Sequence, residues 1–369
     1  MKSIKVNNFL SFFLFRFLLI LLLCGLTFYV TGQIADMQLL TLDCSYDCET
    51  YGTRTRRAMQ IFSLLQNIFL TKILLVIFLT SLSSTILYFL FNKYVDKVNF
   101  KYWLLVLISP CLLIYTNVPT KELIFFYPTT IYIILECRFL IFNEKNILQT
   151  LVKFLILPFL VFWRGYFAAP YIFLAIFSIF LKNFDIGKIY TNLNIKIILI
   201  TSYISSILLI ALFNIFNSKT FEEYVNYFYA AFDNSSSLYR SGLDYSFMSD
   251  PLNSIYIQYL SLFPTIDELL DKPYQFIIVI ESFILIYVFL GSWNNLFKTI
   301  KNNKSAKKIG LLLLTFIGIS YFTIYGFVGS FNVGSSQRFR VNFIPIGIFF
   351  PLILDKNIRA KYNQKLKFL

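Results

Sequence analysis

Residues 9–30 read FLSFFLFRFLLILLLCGLTFYV, an almost wholly apolar run whose one charged member is Arg16. A helix of about 20 such residues matches the hydrocarbon thickness of a bilayer, so this run predicts a transmembrane helix. No small-residue cleavage site follows it, which favours a retained first span over a cleaved signal peptide. Similar runs recur to the end of the chain, and together they predict an integral membrane protein.

The composition points the same way, because the 369 residues are 57% hydrophobic, 20% aromatic and 14% charged. A water-soluble domain could not bury that much apolar surface. We expect an all-α polytopic membrane protein of about ten transmembrane helices, forming a single domain over 1–369. External segments are expected at 31–66 and at 217–273, the second being a large loop that contains amphipathic helices. The predicted spans are 9–30, 67–91, 102–116, 123–142, 148–163, 166–181, 197–216, 274–291, 309–328 and 341–354.

The formal net charge of +14 comes mainly from lysines in the short links between spans. Lysine-rich links hold a polytopic protein on the cytoplasmic side, and they attract anionic lipid headgroups. We therefore expect membrane lipids as partners and no nucleic acid, in a bacterial inner membrane with both termini cytoplasmic. Seven of the ten arginines fall on the opposite side, where the guanidinium fork suits phosphate and sugar acid groups. They are Arg54, Arg56, Arg57, Arg164, Arg240, Arg338 and Arg340.

The chain has no histidine. This removes the commonest general base and every Ser-His or Cys-His arrangement. We find no convincing metal-ligand cluster in the sequence, so neither a metal nor another cofactor is expected. Cys44 and Cys48 have a spacing that permits a disulfide on a helical turn, with two free thiols as the alternative.

Among the charged residues inside predicted spans, Arg16, Glu136 and Glu281 stand out, because an ionised group there is costly unless it is paired or close to water. Arg16 and Glu136 lie at similar depths from the inner ends of their spans, which suggests an ion pair. Alternatively, Arg16 extends to the cytoplasmic surface. Glu281 lies deeper from the outer side and could line a cavity.

Acidic and basic residues are concentrated on the predicted outer side. Asp43 and Asp47 precede three arginines in the first outer loop, either as a solvated salt-bridge network or as a general base beside phosphate-binding arginines. Further along, Thr120 is a plausible N-cap and Glu122 complements the helix dipole. The alternative interpretation makes Lys121 and Glu122 a functional pair.

Two tight outer links complete this set of charges. Arg164 lies in a short turn between the fifth and sixth spans, where a role in a pocket is favoured over a headgroup anchor. The last link, residues 332–340, joins Arg338 and Arg340 to a glycine and three small polar residues. Backbone amides beside two guanidinium groups predict an anion-binding nest, which is the sharpest functional signal in the sequence.

The late pattern Asn332, Gly334, Arg338, Arg340 and Pro345 leads into the last span. Together with the Lys121–Glu122 start of an early span and the Arg164 turn, it resembles Wzy-like oligosaccharide repeat-unit polymerases of O-antigen and capsule synthesis. More broadly it is similar to GT-C membrane glycosyltransferases. The resemblance implies an undecaprenyl-diphosphate-linked glycan as substrate, with the active site at the outer face. It also implies that external arginines bind the pyrophosphate. The binding candidates are Arg164, Arg338, Arg340, Arg240 and Lys121.

The expected activity is therefore polymerisation of lipid-linked repeat units of a surface polysaccharide. A carboxylate would accept the proton of the acceptor hydroxyl, with Asp43, Asp47 and Glu122 as candidates. A flippase and a chain-length regulator of the same pathway are possible partners. The absence of histidine disfavours a histidine-dependent O-antigen ligase. Three alternatives stay open: a GT-C transferase that adds one sugar from a polyprenyl-phosphate donor, a transporter of lipid-linked oligosaccharide, and a structural partner of an envelope synthesis complex.

Overall fold

Helix is the only regular secondary structure in the part of the chain that the structure describes. The structure is a computed structural model. It describes residues 9–31, 53–69, 71–142, 147–183, 195–233, 245–250, 253–300, 304–331 and 333–366. Long apolar runs adopt helices because hydrocarbon offers no partner for backbone N–H and C=O groups, which must then bond within the segment.

The helices are numbered here in chain order. They are α1 Phe9–Thr31, α2 Thr53–Phe69, α3 Lys72–Tyr94, α4 Phe100–Leu107, α5 Pro110–Tyr115, α6 Lys121–Phe142, α7 Ile147–Asn183, α8 Ile195–Phe216, α9 Ser218–Asp233, α10 Tyr245–Ser249, α11 Ser254–Leu262, α12 Ile266–Asp271, α13 Phe276–Ile300, α14 Lys304–Ser320, α15 Gly326–Ser330, α16 Val333–Ile344 and α17 Phe350–Leu366. π-Helical turns at Tyr321–Tyr325 and Pro345–Phe349 join α14 to α15 and α16 to α17.

Seven described helical segments are long and apolar enough to cross a membrane. They are Lys72–Tyr94, Lys121–Ile141, Ile147–Ile179, Ile195–Phe216, Pro273–Ile300, Gly310–Ser330 and Ser336–Ala360. A shorter apolar helix covers Phe9–Gly25. The chain is therefore a polytopic, membrane-embedded all-α protein, and the count of ten spans stays a prediction.

Helix α7 is broken at Arg164, whose backbone angles (φ −149°, ψ 73°) are not helical. Before the break, α7 runs antiparallel to α6. The Lys153 ammonium lies 2.5 Å from the Glu136 carboxylate near the end of α6. The Trp163 indole N–H donates to the carbonyl oxygen of Lys121, at the start of α6, over 3.2 Å. One half of α7 thus covers the length of α6 before the break.

After the break, the chain returns along α6. The Tyr171 ring lies 6.0 Å from the ring of Phe125 and 6.2 Å from that of Tyr132, both inside α6. A helix that continued straight past Arg164 would leave α6 behind. The break is therefore a reversal, and it falls where the sequence predicts the turn between the fifth and sixth spans.

The segment 333–340 differs from its prediction as a link, because α16 begins at Val333 and is helical through both arginines. No helix-breaking residue lies between Gly334 in the first turn and Pro345. Gln337, Arg338 and Arg340 have partners inside the protein. A search for apolar runs therefore places the start of the last span too late. Over 333–340, regular α-helix takes the place of the predicted anion-binding nest.

Two other predicted spans are interrupted. The Thr71 hydroxyl accepts from the Leu74 amide over 3.2 Å and caps α3, so that span begins at Lys72 rather than at 67. The predicted span 102–116 consists of α4 and α5, which are separated where Pro110 occupies the first turn of α5. Proline is favoured at that position because its missing N–H would have no helical partner.

The prediction of helices within 217–273 is confirmed, since α9 and α11 lie there. Helix α12 follows Pro264 and starts with a capping box. The Thr265 hydroxyl accepts from the Glu268 amide, and the Glu268 carboxylate accepts from the Thr265 amide. The position of these helices outside the membrane stays a prediction.

The predicted Arg16–Glu136 ion pair is wrong. Arg16 is buried on α1, and its Nη2 donates to the Ser83 hydroxyl of α3 over 3.3 Å. Glu136 pairs with Lys153 of α7 instead. The two residues have different partners because α1 packs against α3 while Glu136 faces α7.

A buried polar network connects helices at one end of the bundle. The Asp355 carboxylate of α17 accepts from the Asn99 side-chain amide over 2.7 Å and from the Thr299 hydroxyl over 2.6 Å. Arg359, one turn later in α17, pairs with both Asp355 and Asp96. The network therefore ties α17 to α13 and to the turn that precedes α4.

We expect Asp355→Ala to lower the free energy of unfolding by about 2–3 kcal/mol, because it leaves buried donors without an acceptor. Unfolding of the purified protein in a detergent–SDS titration measures this change. Lys356→Ala alters the neighbouring residue and serves as the control. Equal unfolding midpoints for the two variants would show that the network does not stabilise the bundle.

Candidate functional site

The site starts at the first turn of α6. The Thr120 hydroxyl accepts from the Leu123 amide over 3.2 Å and donates to the Tyr115 carbonyl over 2.8 Å. Thr120 therefore caps α6, as the sequence predicts. The cap fixes the direction in which the first turn presents Glu122, whose side chain is fully buried.

Two arginines from distant parts of the chain converge on Glu122. Arg164 Nη2 lies 2.5 Å from Glu122 Oε1, and Arg338 Nη2 lies 3.3 Å from Glu122 Oε2. Each carboxylate oxygen thus accepts from a different guanidinium group. The three residues, called the Glu122 cluster below, connect α6, the break in α7 and α16.

In the Glu122 cluster one carboxylate faces two guanidinium groups, and the Glu122 and Arg164 side chains are almost fully buried. The side chains are 0%, 8% and 20% exposed for Glu122, Arg164 and Arg338. Arg164 Nη1 is also buried, and it has no hydrogen-bond partner in the part of the chain that the structure describes. A buried guanidinium donor without an acceptor is costly, so the cluster is suited to binding an anion at Arg164.

Local packing sets the position of Arg164. The hydrogen bond from Trp163 to the Lys121 carbonyl holds the break in α7 against the first turn of α6. The Arg164 guanidinium lies 5.3 Å from the ring centre of Phe167 and 5.9 Å from that of Phe339. Aromatic faces stabilise a cation at such distances without consuming its N–H donors. The rings therefore help to hold the guanidinium while leaving donors for a ligand.

Arg340 has different partners from Arg338. Two residues along a helix are separated by about 200°, at about 100° per residue, so the two side chains leave α16 on different sides. Arg340 Nη2 donates to the Leu262 carbonyl oxygen over 2.6 Å, and Nη1 lies 3.6 Å from Glu281 Oε2. The two arginines that the sequence assigns to one nest thus face different neighbours.

Glu281 gains its partners from two elements, α5 and α16. Its Oε1 accepts from the Cys111 backbone amide over 2.6 Å, and its Oε2 accepts from the Gln337 side-chain amide over 3.1 Å. Sequence reasoning singled out Glu281 but missed its partners, including Arg340. A buried acid in one span and an arginine near another indicate a pairing only once the neighbouring helices are known.

The remaining predicted site residues are placed as follows. Lys121 adjoins Glu122, and its carbonyl oxygen accepts from Trp163. Asp43, Asp47 and Arg240 lie outside the described residues, as do Cys44 and Cys48. The structure therefore brings together Glu122, Arg164 and Arg338, with Lys121 adjacent, and places Arg340 on another side of α16.

Glu122 was a candidate general base, but its geometry fits a different role. Both oxygens are engaged by guanidinium groups, which stabilise the ionised form and weaken it as a proton acceptor. The carboxylate is better suited to orienting the two arginines. Within the described residues, no group of three or more Cys, Asp and Glu side chains could hold a metal ion.

Comparisons of the chain with known protein families, with curated proteins and with solved structures found no match.

Proposed function

We propose that the protein is a membrane glycosyltransferase that polymerises undecaprenyl-diphosphate-linked oligosaccharide repeat units of a surface polysaccharide. One observation carries the proposal: Arg164 and Arg338 converge on the buried Glu122, and Arg164 Nη1 has no hydrogen-bond partner in the described residues. Guanidinium groups are well matched to phosphate oxygens, which they bind through paired hydrogen bonds. The diphosphate of the donor lipid is the anion proposed for this cluster.

In the proposed step, a hydroxyl oxygen of the acceptor glycan attacks the anomeric carbon of the donor sugar. A new glycosidic C–O bond forms, and the C–O bond to the diphosphate breaks. The electron pair leaves with the lipid diphosphate, and the hydroxyl proton passes to a carboxylate. Arg164 and Arg338 stabilise the charge that develops on the departing diphosphate.

Glu122 acts in this scheme as a positioning residue, because both of its oxygens hold arginines. The general base is then Asp43 or Asp47 of the first outer loop. Lys121, next to Glu122, adds a positive charge beside the cluster. Arg240 is a further ligand for the glycan or its diphosphate.

The proposed topology has ten spans in a bacterial inner membrane, with both termini cytoplasmic and the Glu122 cluster at the periplasmic face. The residues of the cluster lie at the start of α6, at the break in α7 and near the start of α16, which supports a location at one face of the membrane. A flippase that supplies the lipid-linked repeats and a chain-length regulator are the proposed partners.

Deletion of the gene is expected to leave lipid-linked single repeat units unpolymerised. The reason is that no other step of such a pathway joins repeat units to each other. Lipid extraction and mass spectrometry measure the intermediates, and gel electrophoresis shows the loss of long polysaccharide ladders. Accumulation of a repeat unit that lacks one sugar would instead indicate a transferase that adds a single sugar. Repeat units trapped on the cytoplasmic leaflet would indicate a transporter.

A further inference from the structure

A cavity of about 280 Å³ lies between α8, α13, α14 and α16, on the side of α16 that carries Arg340. Its walls are almost entirely apolar, with Leu199, Ile286, Phe289 and Phe322 among the lining residues. None of the three residues of the Glu122 cluster lines this cavity. Proposed glycosyl transfer does not account for it.

The length of the cavity matches a lipid chain within one leaflet. Along α13 it extends from Ser282 to Leu290, which at about 1.5 Å per residue is about 12 Å. One leaflet contributes about half of a hydrocarbon core of about 30 Å. On the same helix, Phe283 and Tyr287 are 61% and 47% exposed, so the cavity adjoins a surface that faces the surrounding lipid.

Arg340 is the charged residue among the described residues that line the cavity. Its Nε and Nη1 are buried and have no hydrogen-bond partner in the described part of the chain. The 3.6 Å between Nη1 and Glu281 Oε2 is an ion pair without a hydrogen bond. A buried donor without an acceptor is costly, and an anionic oxygen at this end of the cavity would satisfy it.

We propose that the cavity binds one acyl chain of an anionic phospholipid from the bilayer, with the lipid phosphate at Arg340. The apolar walls contact the acyl chain, and the phosphate lies at the Ser282 end of the cavity. Arg340 is at that end, because the Leu262 carbonyl oxygen accepts hydrogen bonds from both Arg340 and Ser282. A depth of one leaflet fits an acyl chain, whereas a much longer polyprenyl chain would extend beyond the cavity. This site stands whether or not the protein is a glycosyltransferase.

Native mass spectrometry of the full-length protein tests the site, with phosphatidylglycerol added in detergent. Ile286→Trp places a large ring in the cavity and is expected to remove one bound lipid. Phe283→Trp changes the exposed face of the same helix and is expected to keep it. Equal lipid retention by the two variants would overturn the proposal.

The headgroup preference tests the role of Arg340. In equal mixtures of phosphatidylglycerol and phosphatidylcholine, Arg340→Gln is expected to lower the preference for the anionic lipid by about fivefold. Lys298→Gln removes a positive charge from the far end of α13 and is expected to change nothing. An unchanged preference in Arg340→Gln, or displacement of phosphatidylglycerol by equimolar undecaprenyl phosphate, would contradict the assignment to a bilayer phospholipid.

Discussion

Arg164→Ala is expected to lower the rate of repeat-unit transfer by roughly a hundredfold to a thousandfold. Removal of one donor that stabilises a developing negative charge has effects of about this size. Arg164 combines burial, a short contact with Glu122 and an Nη1 atom without a partner in the described residues. It is therefore the guanidinium group best placed to gain a bond to the departing diphosphate.

Arg164→Lys sharpens this prediction, because lysine keeps the charge and loses the planar fork. We expect it to restore little of the rate, which is measured as polymer formed from lipid-linked repeats. Arg57→Ala is the matched control, since Arg57 stacks on the Phe162 ring at 3.8 Å and is not part of the Glu122 cluster. If the two alanine variants had equal activity at equal protein levels, Arg164 would not be part of the site.

Glu122→Gln is expected to destabilise the protein by about 3–5 kcal/mol, because it leaves two guanidinium groups without their shared counter-charge in a buried site. The second variant, Glu122→Gln with Arg338→Gln, is expected to regain part of that stability, since it removes one of the uncompensated charges. Unfolding midpoints in detergent measure both changes. Additive losses in the double variant would contradict the ion cluster.

The pH profile of the same variant separates a positioning residue from a general base. If Glu122 accepted the proton, Glu122→Gln would remove the acidic limb of the kcat profile. We expect the limb to remain while the rate falls at every pH, because the base is proposed to be Asp43 or Asp47. Loss of the limb would return the role of base to Glu122.

Much of the fold follows from the sequence, because long apolar runs leave the chain little choice but helices. The reversal at Arg164 was also predictable, since a charged residue and a glycine interrupt an apolar stretch that is too long for one span. The start of α16 was not, because its first eight residues are mostly polar and small. Their helical state depends on buried partners contributed by α6 and α13.

The sequence allowed several residues of the site to be predicted, but not how they are arranged. Lys121, Glu122, Arg164 and Arg338 were all singled out, and the structure brings them together at the start of α6. The division between Arg338 and Arg340 was missed, because both were assigned to a link whose helical phase was not expected. Pairings such as Arg340 with Glu281 depend on which helix faces which, and depth along a span does not supply that information.

The most direct test of the central claim is transfer by the purified protein. Lipid-linked repeat units extracted from a deletion strain serve as both donor and acceptor. The wild-type protein should produce a ladder of longer lipid-linked chains and release one undecaprenyl diphosphate for each new linkage, and Arg164→Ala and Arg338→Ala should produce almost none. The proposed function would be contradicted if no glycosidic bond formed, or if both arginine variants produced the wild-type ladder.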